Sequence, residues 1–147
     1  MAGFEFVHRL CGAAPTIRAV IAADATLNVG DLVNLESGKA DLAVTNDTKL
    51  MGVVIGPTNP DKVTDAGVIT SNTTTDKVQV IVDEDAVYAV DDANARTFGA
   101  LLDLTGATGA MGVGAPTNND VIVVADSTAS ENTLVMLSQA NHVLASS

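Results

Sequence analysis

Apolar and polar residues alternate along much of this chain in short runs broken by Gly, Asn, Asp and Pro. A period of two places successive side chains on opposite faces, so the runs predict strands rather than helices. Strands are expected at Thr16–Ala22, Leu32–Leu35, Leu42–Val44, Leu50–Ile55, Val78–Val82, Val87–Val90, Leu101–Leu104, Val121–Ala125 and Leu134–Leu137. Glu36-Ser37-Gly38-Lys39 reads as a tight turn, because Gly takes the positive φ that short hairpins need. The stretch between Ala22 and Asp31 is rich in turn residues, and Thr58–Asp76 has little pattern beyond a possible edge strand at Val68–Thr70. Thr128-Ala129-Ser130-Glu131 has the form of a helix capping box. The expectation there is nevertheless a short turn followed by a strand.

The opening segment carries two of the three Phe residues, Phe4 and Phe6, followed by Val7, His8, Arg9 and Leu10. Terminal segments fray unless something ties them down, so large apolar side chains here imply a cover. Two readings remain open: a first strand of the same domain, or an extended arm over residues 1–15 that docks on a neighbouring molecule. The rest, residues 16–147, is expected to be a single β domain.

Shifting the chain by 69 positions aligns Val29-Gly30 with Phe98-Gly99 and Leu32–Leu35 with Leu101–Leu104. The same shift brings Leu42 onto Met111, Val44 onto Val113 and Val53–Ile55 onto Ile122–Val124. Conserved apolar spacing through two turns predicts two related β-units, around 29–55 and 98–124. Neither unit has enough strands to bury a sheet face alone, so the two should pack together. The predicted fold is therefore all-β, a compact β-sandwich or squashed barrel.

Composition sharpens this picture. The 147 residues are enough for one real core, but with one Tyr, three Phe and no Trp it must be built from small and branched side chains. Acidic residues outnumber basic ones 18 to 7, a formal charge of −11. Nucleic acid and anionic membranes are poor partners for such a chain, since both require clustered Lys and Arg. No apolar run is long enough to predict a transmembrane helix. Pro15, Arg18 and Glu5 interrupt any signal-peptide pattern, so the mature chain is expected to begin near Met1. Cys11 is the single cysteine, which excludes an internal disulfide and reads as a packed thiol.

Motifs that carry chemistry are sparse. The Gly106–Gly114 run resembles a phosphate cradle, but it holds no Lys and leads to Pro116 and another strand, which suits a hairpin instead. Asp83-Glu84-Asp85 and Asp91-Asp92 lack the spacing of a calcium loop and read as solvated loops. His8 and His142 are too far apart in sequence to suggest a metal pair, and no Gly-x-Ser-x-Gly elbow occurs. No catalytic, cofactor-binding or metal-binding residue is expected, and no enzymatic activity.

The N-terminal segment, the Gly30–Leu35 turn and strand, the Leu50–Gly56 strand and the Asp120–Leu137 tail together resemble decoration proteins of tailed-phage capsids, also called cement or head-stabilising proteins. The resemblance implies a β-tulip-like fold and a homotrimer seated at capsomer junctions on the outer surface of an icosahedral virion, after synthesis in the host cytoplasm. It implies the major capsid protein as partner and places the contact on Phe4, Phe6, Val7, His8, Arg9 and Leu10. Removing Met1–Leu10 would then leave a folded core that no longer binds shells. A competing class is a β-rich carbohydrate-binding module or head/tail adhesin, for which four aromatic residues are meagre material.

Overall fold

The structure is a computed structural model that describes residues 3–22, 26–44, 49–57, 68–70, 77–107, 110–115 and 119–138. All regular structure among the described residues is β. The strands are β1 (Phe4–Arg9), β2 (Ile17–Ile21), β3 (Thr26–Asn28), β4 (Leu32–Glu36), β5 (Lys39–Leu42), β6 (Leu50–Pro57), β7 (Val68–Thr70), β8 (Lys77–Ile81), β9 (Ala86–Val90), β10 (Leu101–Thr105), β11 (Gly112–Gly114), β12 (Val121–Val123) and β13 (Thr133–Leu137).

They form two antiparallel sheets and a small ribbon. The first sheet runs β2-β8-β6-β4-β5 and the second β1-β9-β13-β12-β10-β11, while β3 and β7 pair with each other. Ser37 and Gly38, with φ of 50° and 78°, supply the two positive-φ positions of the β4–β5 turn, closed by the Glu36↔Lys39 pair. At the far side, Ala22 bridges Ala40, so the first sheet curls until its two ends meet.

The two sheets repeat one another in strand order and, between their central strands, in register. β11 departs from the 69-position shift, since Asn34 pairs with Asp41 and Leu35 with Ala40 whereas Asp103 pairs with Gly114 and Leu104 with Val113. The expected matches of Leu42 with Met111 and Val44 with Val113 therefore do not hold across the longer β10–β11 connection. β4 and β6 pair Leu32 with Val53 and Val33 with Gly52, while β10 and β12 pair Leu101 with Ile122 and Leu102 with Val121, each 69 positions later. The Gly30 N–H donates to the Val54 carbonyl (2.9 Å) as the Gly99 N–H donates to Val123 (2.8 Å). Both glycines sit at positive φ, which a side chain would strain. Outside the 29–55 and 98–124 spans the match continues: Arg18↔Val80 and Ala19↔Gln79 of β2–β8 correspond to Tyr88↔Val135 and Ala89↔Leu134 of β9–β13. Each sheet thus has the same five-strand order, with β1 added to the second and the β3–β7 ribbon paired apart from both.

Alternation along these strands produces two cores. Leu32, Leu50, Val53 and Ile81 of the first sheet meet Tyr88, Val90, Leu102, Leu104, Val121, Val123, Val135 and Leu137 of the second. On the other face of the first sheet, Val33, Met51, Val54, Val78 and Val80 gather with Ala22, Leu27 and Ala40 inside the curl. Gly52 sits where β6 and its neighbour β8 press closest, since an added Cβ would collide with the Ile81 carbonyl oxygen.

The capping box at Thr128–Glu131 forms without a helix. The Thr128 N–H donates to Glu131 Oε2 (2.9 Å) and the Glu131 N–H to the Thr128 carbonyl (3.2 Å), so the motif closes a turn that leads into β13. The strand at Thr26–Asn28 lies inside the expected turn-rich stretch, and β5 ends at Leu42 instead of spanning Leu42–Val44. A three-residue strand that takes its partner from β7 has too little sequence pattern to declare itself. Apart from β7, the whole Thr58–Asp76 stretch lies outside the described residues, as do Thr108, Gly109, Pro116 and His142.

Candidate docking surface

The opening segment is built into the domain. β1 is an edge strand of the second sheet, pairing Phe4 with Val90, Phe6 with Tyr88 and Arg9 with Ala86, with a register shift between Phe6 and His8. The shift matters because it turns the later side chains relative to the earlier ones. Phe4 is only 3% exposed and belongs to the central core. Phe6 packs on that core edge-to-face with Tyr88, ring centroids 6.3 Å apart.

At the shift Val7 is 47% exposed, and beyond it Leu10 is 61% exposed and His8 also faces solvent. The segment expected to act as one contact surface is therefore divided. Phe4 is unavailable to a partner because its own core needs it, while Val7, His8 and Leu10 are presented outward. Removing residues 1–10 would take Phe4 out of the core, so the expected clean separation of a folded core from its arm does not follow.

Acidic side chains that read as a solvated loop instead fasten this strand. Arg9 Nε donates to Asp85 Oδ1 (2.8 Å), and Arg9 Nη1 lies 3.5 Å from Asp83 Oδ1. The Cys11 N–H donates to Asp85 Oδ2 (3.2 Å), and the Thr16 N–H to Asp83 Oδ2 (2.6 Å). The Arg9 hydrogen bond, helped by Cys11 against a smaller opposing effect of burial, holds the Asp85 carboxyl down at about 2. Asp85 reciprocally raises Arg9. The Cys11 side chain is exposed, not packed.

Asp92 is likewise structural. It accepts from Arg96 Nε (2.5 Å) and from the Asn94 N–H (3.1 Å). Burial pushes its carboxyl up, but these hydrogen bonds outweigh burial and the net direction is down. The sequence signal for both clasps was a basic residue on a strand or turn facing an acidic pair. Only the fold could reveal that pairing for Arg9, which lies 76 positions from Asp85.

The larger feature that sequence reasoning missed is the outer face of the second sheet. Phe98 is 69% exposed and Leu101 39%. With Ile122, Met136, Leu10 and Ser138 they line a groove of about 400 Å³ that contains no charged side chain. Asp126 Oδ1 accepts the Phe98 N–H (2.7 Å) and fixes the turn that presents the ring. The 69-position shift held a clue, since it placed Phe98 opposite Val29, which is also exposed.

A second cavity, about 340 Å³, opens at the rim of the first sheet between Arg18, Val20, Leu35, Met51 and Val82. Among the described residues no three His, Cys, Asp or Glu side chains come together as a metal site, and no helix is long and apolar enough to cross a membrane.

What the molecule offers is thus contact area: an exposed strand edge tied down by ion pairs, next to an uncharged apolar sheet face. No family model matches the chain. No curated protein matches it either.

Proposed function

We propose that this chain is a structural protein of a phage virion, a decoration protein with a β-tulip-like fold that binds the outside of an icosahedral shell as a homotrimer. The observation that carries the reading is the β1 edge, where Val7 and His8 are exposed on a strand that the Arg9 clasp holds in place and Leu10 is exposed just past its end. An edge strand offers unpaired backbone groups beside its side chains, a surface suited to another protein's strand or loop. Pre-ordering matters on a pressurised shell, since each side chain immobilised only on binding costs about 0.5–1.5 kcal/mol.

The major capsid protein is the partner in this reading, the virion exterior the location, and stabilisation of capsomer junctions the role. Three linked copies would raise the effective concentration of weak contacts at one junction. Chemistry plays no part.

Co-sedimentation with intact expanded shells tests the proposal. Wild-type protein should pellet with shells, and Val7→Asp or His8→Asp should reduce occupancy while leaving the folded domain unchanged by circular dichroism. Binding to glycans with no affinity for shells would replace this reading with the adhesin class, for which exposed Phe98 is the available aromatic platform.

A further inference from the structure

We propose that the outer face of the second sheet, centred on Phe98, Leu101, Ile122 and Met136, is a self-association surface that packs against the same face of another copy of this chain. Such a same-face contact pairs two copies about a two-fold axis, so it goes beyond the three-fold assembly of the preceding reading and is independent of shell binding.

The repeated register of the central strands puts equivalent side chains in unequal surroundings. Leu32, Val53 and Ile81 occupy one face of the first sheet, and all three are buried because the second sheet covers them. Their counterparts in the second sheet are Leu101 and Ile122, fixed by the shared β4–β6 and β10–β12 pairing, and Met136, fixed by the shared position of β8 and β13. The same positions are apolar in both sheets. In the first they are roofed, and in the second they line an open groove.

Amphipathic sheets on soluble proteins alternate apolar inward with polar outward. The second sheet departs from that rule at the positions where its twin needs an apolar face. Phe98 and Leu10 extend the surface instead of capping it with charge.

The chemistry of the groove selects the occupant. A nucleic acid or an anionic lipid surface would require basic side chains, and the groove has none in a chain of charge −11. Within the molecule the equivalent face of the first sheet is covered by an uncharged apolar sheet face, that of Leu102, Val121, Val123 and Val135. Another copy supplies an equally uncharged apolar face, so packing the two together buries apolar groups on both sides and strands no charge.

Acidic bodies repel one another, which gives the contact a distinctive salt dependence. Screening should strengthen an apolar contact between like-charged copies and weaken a contact made by ion pairs.

Sedimentation equilibrium of the full chain from low to high micromolar concentration tests this. The expected result is a species whose mass is a multiple of the 14.9 kDa chain, favoured by added salt. Phe98→Asp and Leu101→Asp alter side chains that are already exposed, so the fold should persist. Each should weaken association roughly 30-fold or more. Ile17→Asp, at a comparably exposed apolar site on the first sheet, should leave association unchanged.

A wild-type chain that stays monomeric throughout, face variants that associate like wild type, or association that falls with salt would each overturn the proposal. Because the His8→Asp shell assay is scored separately, lost shell binding with intact association would count against the decoration reading alone.

Discussion

The first and second sheets share strand order and the register of their central strands, yet they live in different surroundings. The first is apolar on both faces, one packed inside its curl and the other under its twin. The second buries one face and leaves the other open at Leu101, Ile122 and Met136. Equivalent backbone positions therefore carry similar side chains with different energetic roles. A residue's contribution depends on which layer covers it, not on its place in the repeat.

The sharpest way to break this comparison is to place the same charge at the same register position in each sheet. Val53→Asp buries an unpaired carboxylate at a site only 1% exposed, and should cost at least about 4 kcal/mol in urea denaturation or prevent folding altogether. Ile122→Asp should cost less than about 1 kcal/mol. Equal losses would mean that the outer face is not open.

Exchanging residues across the repeat tests the second difference. Val121 occupies the position equivalent to Gly52, where the Ile81 carbonyl leaves no room for a Cβ. Gly52→Val should therefore cost about 3 kcal/mol through overpacking, read as a lower urea midpoint with an unchanged slope. An unchanged midpoint would show that β6 and β8 can part at no cost.

A smaller effect should come from the clasp that joins β1 to the second sheet. The Asp85 carboxyl is lowered in the folded chain from its ordinary 3.8 to about 2. A lowered carboxylate contributes stability that is fully present above the unfolded value and is lost as pH falls through the folded one. Acid titration monitored by thermal melting should show this loss between about 3.8 and about 2. Asp85→Asn should flatten that part of the curve and loosen the Cys11–Thr16 segment in hydrogen exchange.

The smallest expected change is at Tyr88, whose hydroxyl lies against the Gly52–Val53 backbone without a well-formed hydrogen bond among the described residues. Burial, and then the nearby Asp83 charge, push its ionisation up. Tyr88→Phe removes a buried polar atom with no good partner, so stability should stay within about 1 kcal/mol of wild type or rise. A loss of several kcal/mol would reveal a bond to this hydroxyl.

Much of this was readable in the chain. Period-two alternation located most of the strands, and Ser37-Gly38 announced the β4–β5 hairpin. The aligned Leu32–Leu35 and Leu101–Leu104 segments pointed to a register relation that extends through β2 and β8, β9 and β13. Two features escaped because their partners are remote in sequence. The acidic residues at Asp83 and Asp85 looked solvated until Arg9 arrived from the first strand. Phe4 looked like a docking residue until the β1–β9 pairing carried it into the core.

By itself the sequence determined the local grammar: strands, turns, an acidic surface and a core of small apolar side chains. Those properties follow from each residue and its near neighbours, through backbone preference and alternation. Only the tertiary structure decided which of two equivalent apolar faces would be covered, because alternation marks a face as apolar without naming what packs on it. Leu32 and Leu101 occupy the same register position; the second sheet covers the one and leaves the other open.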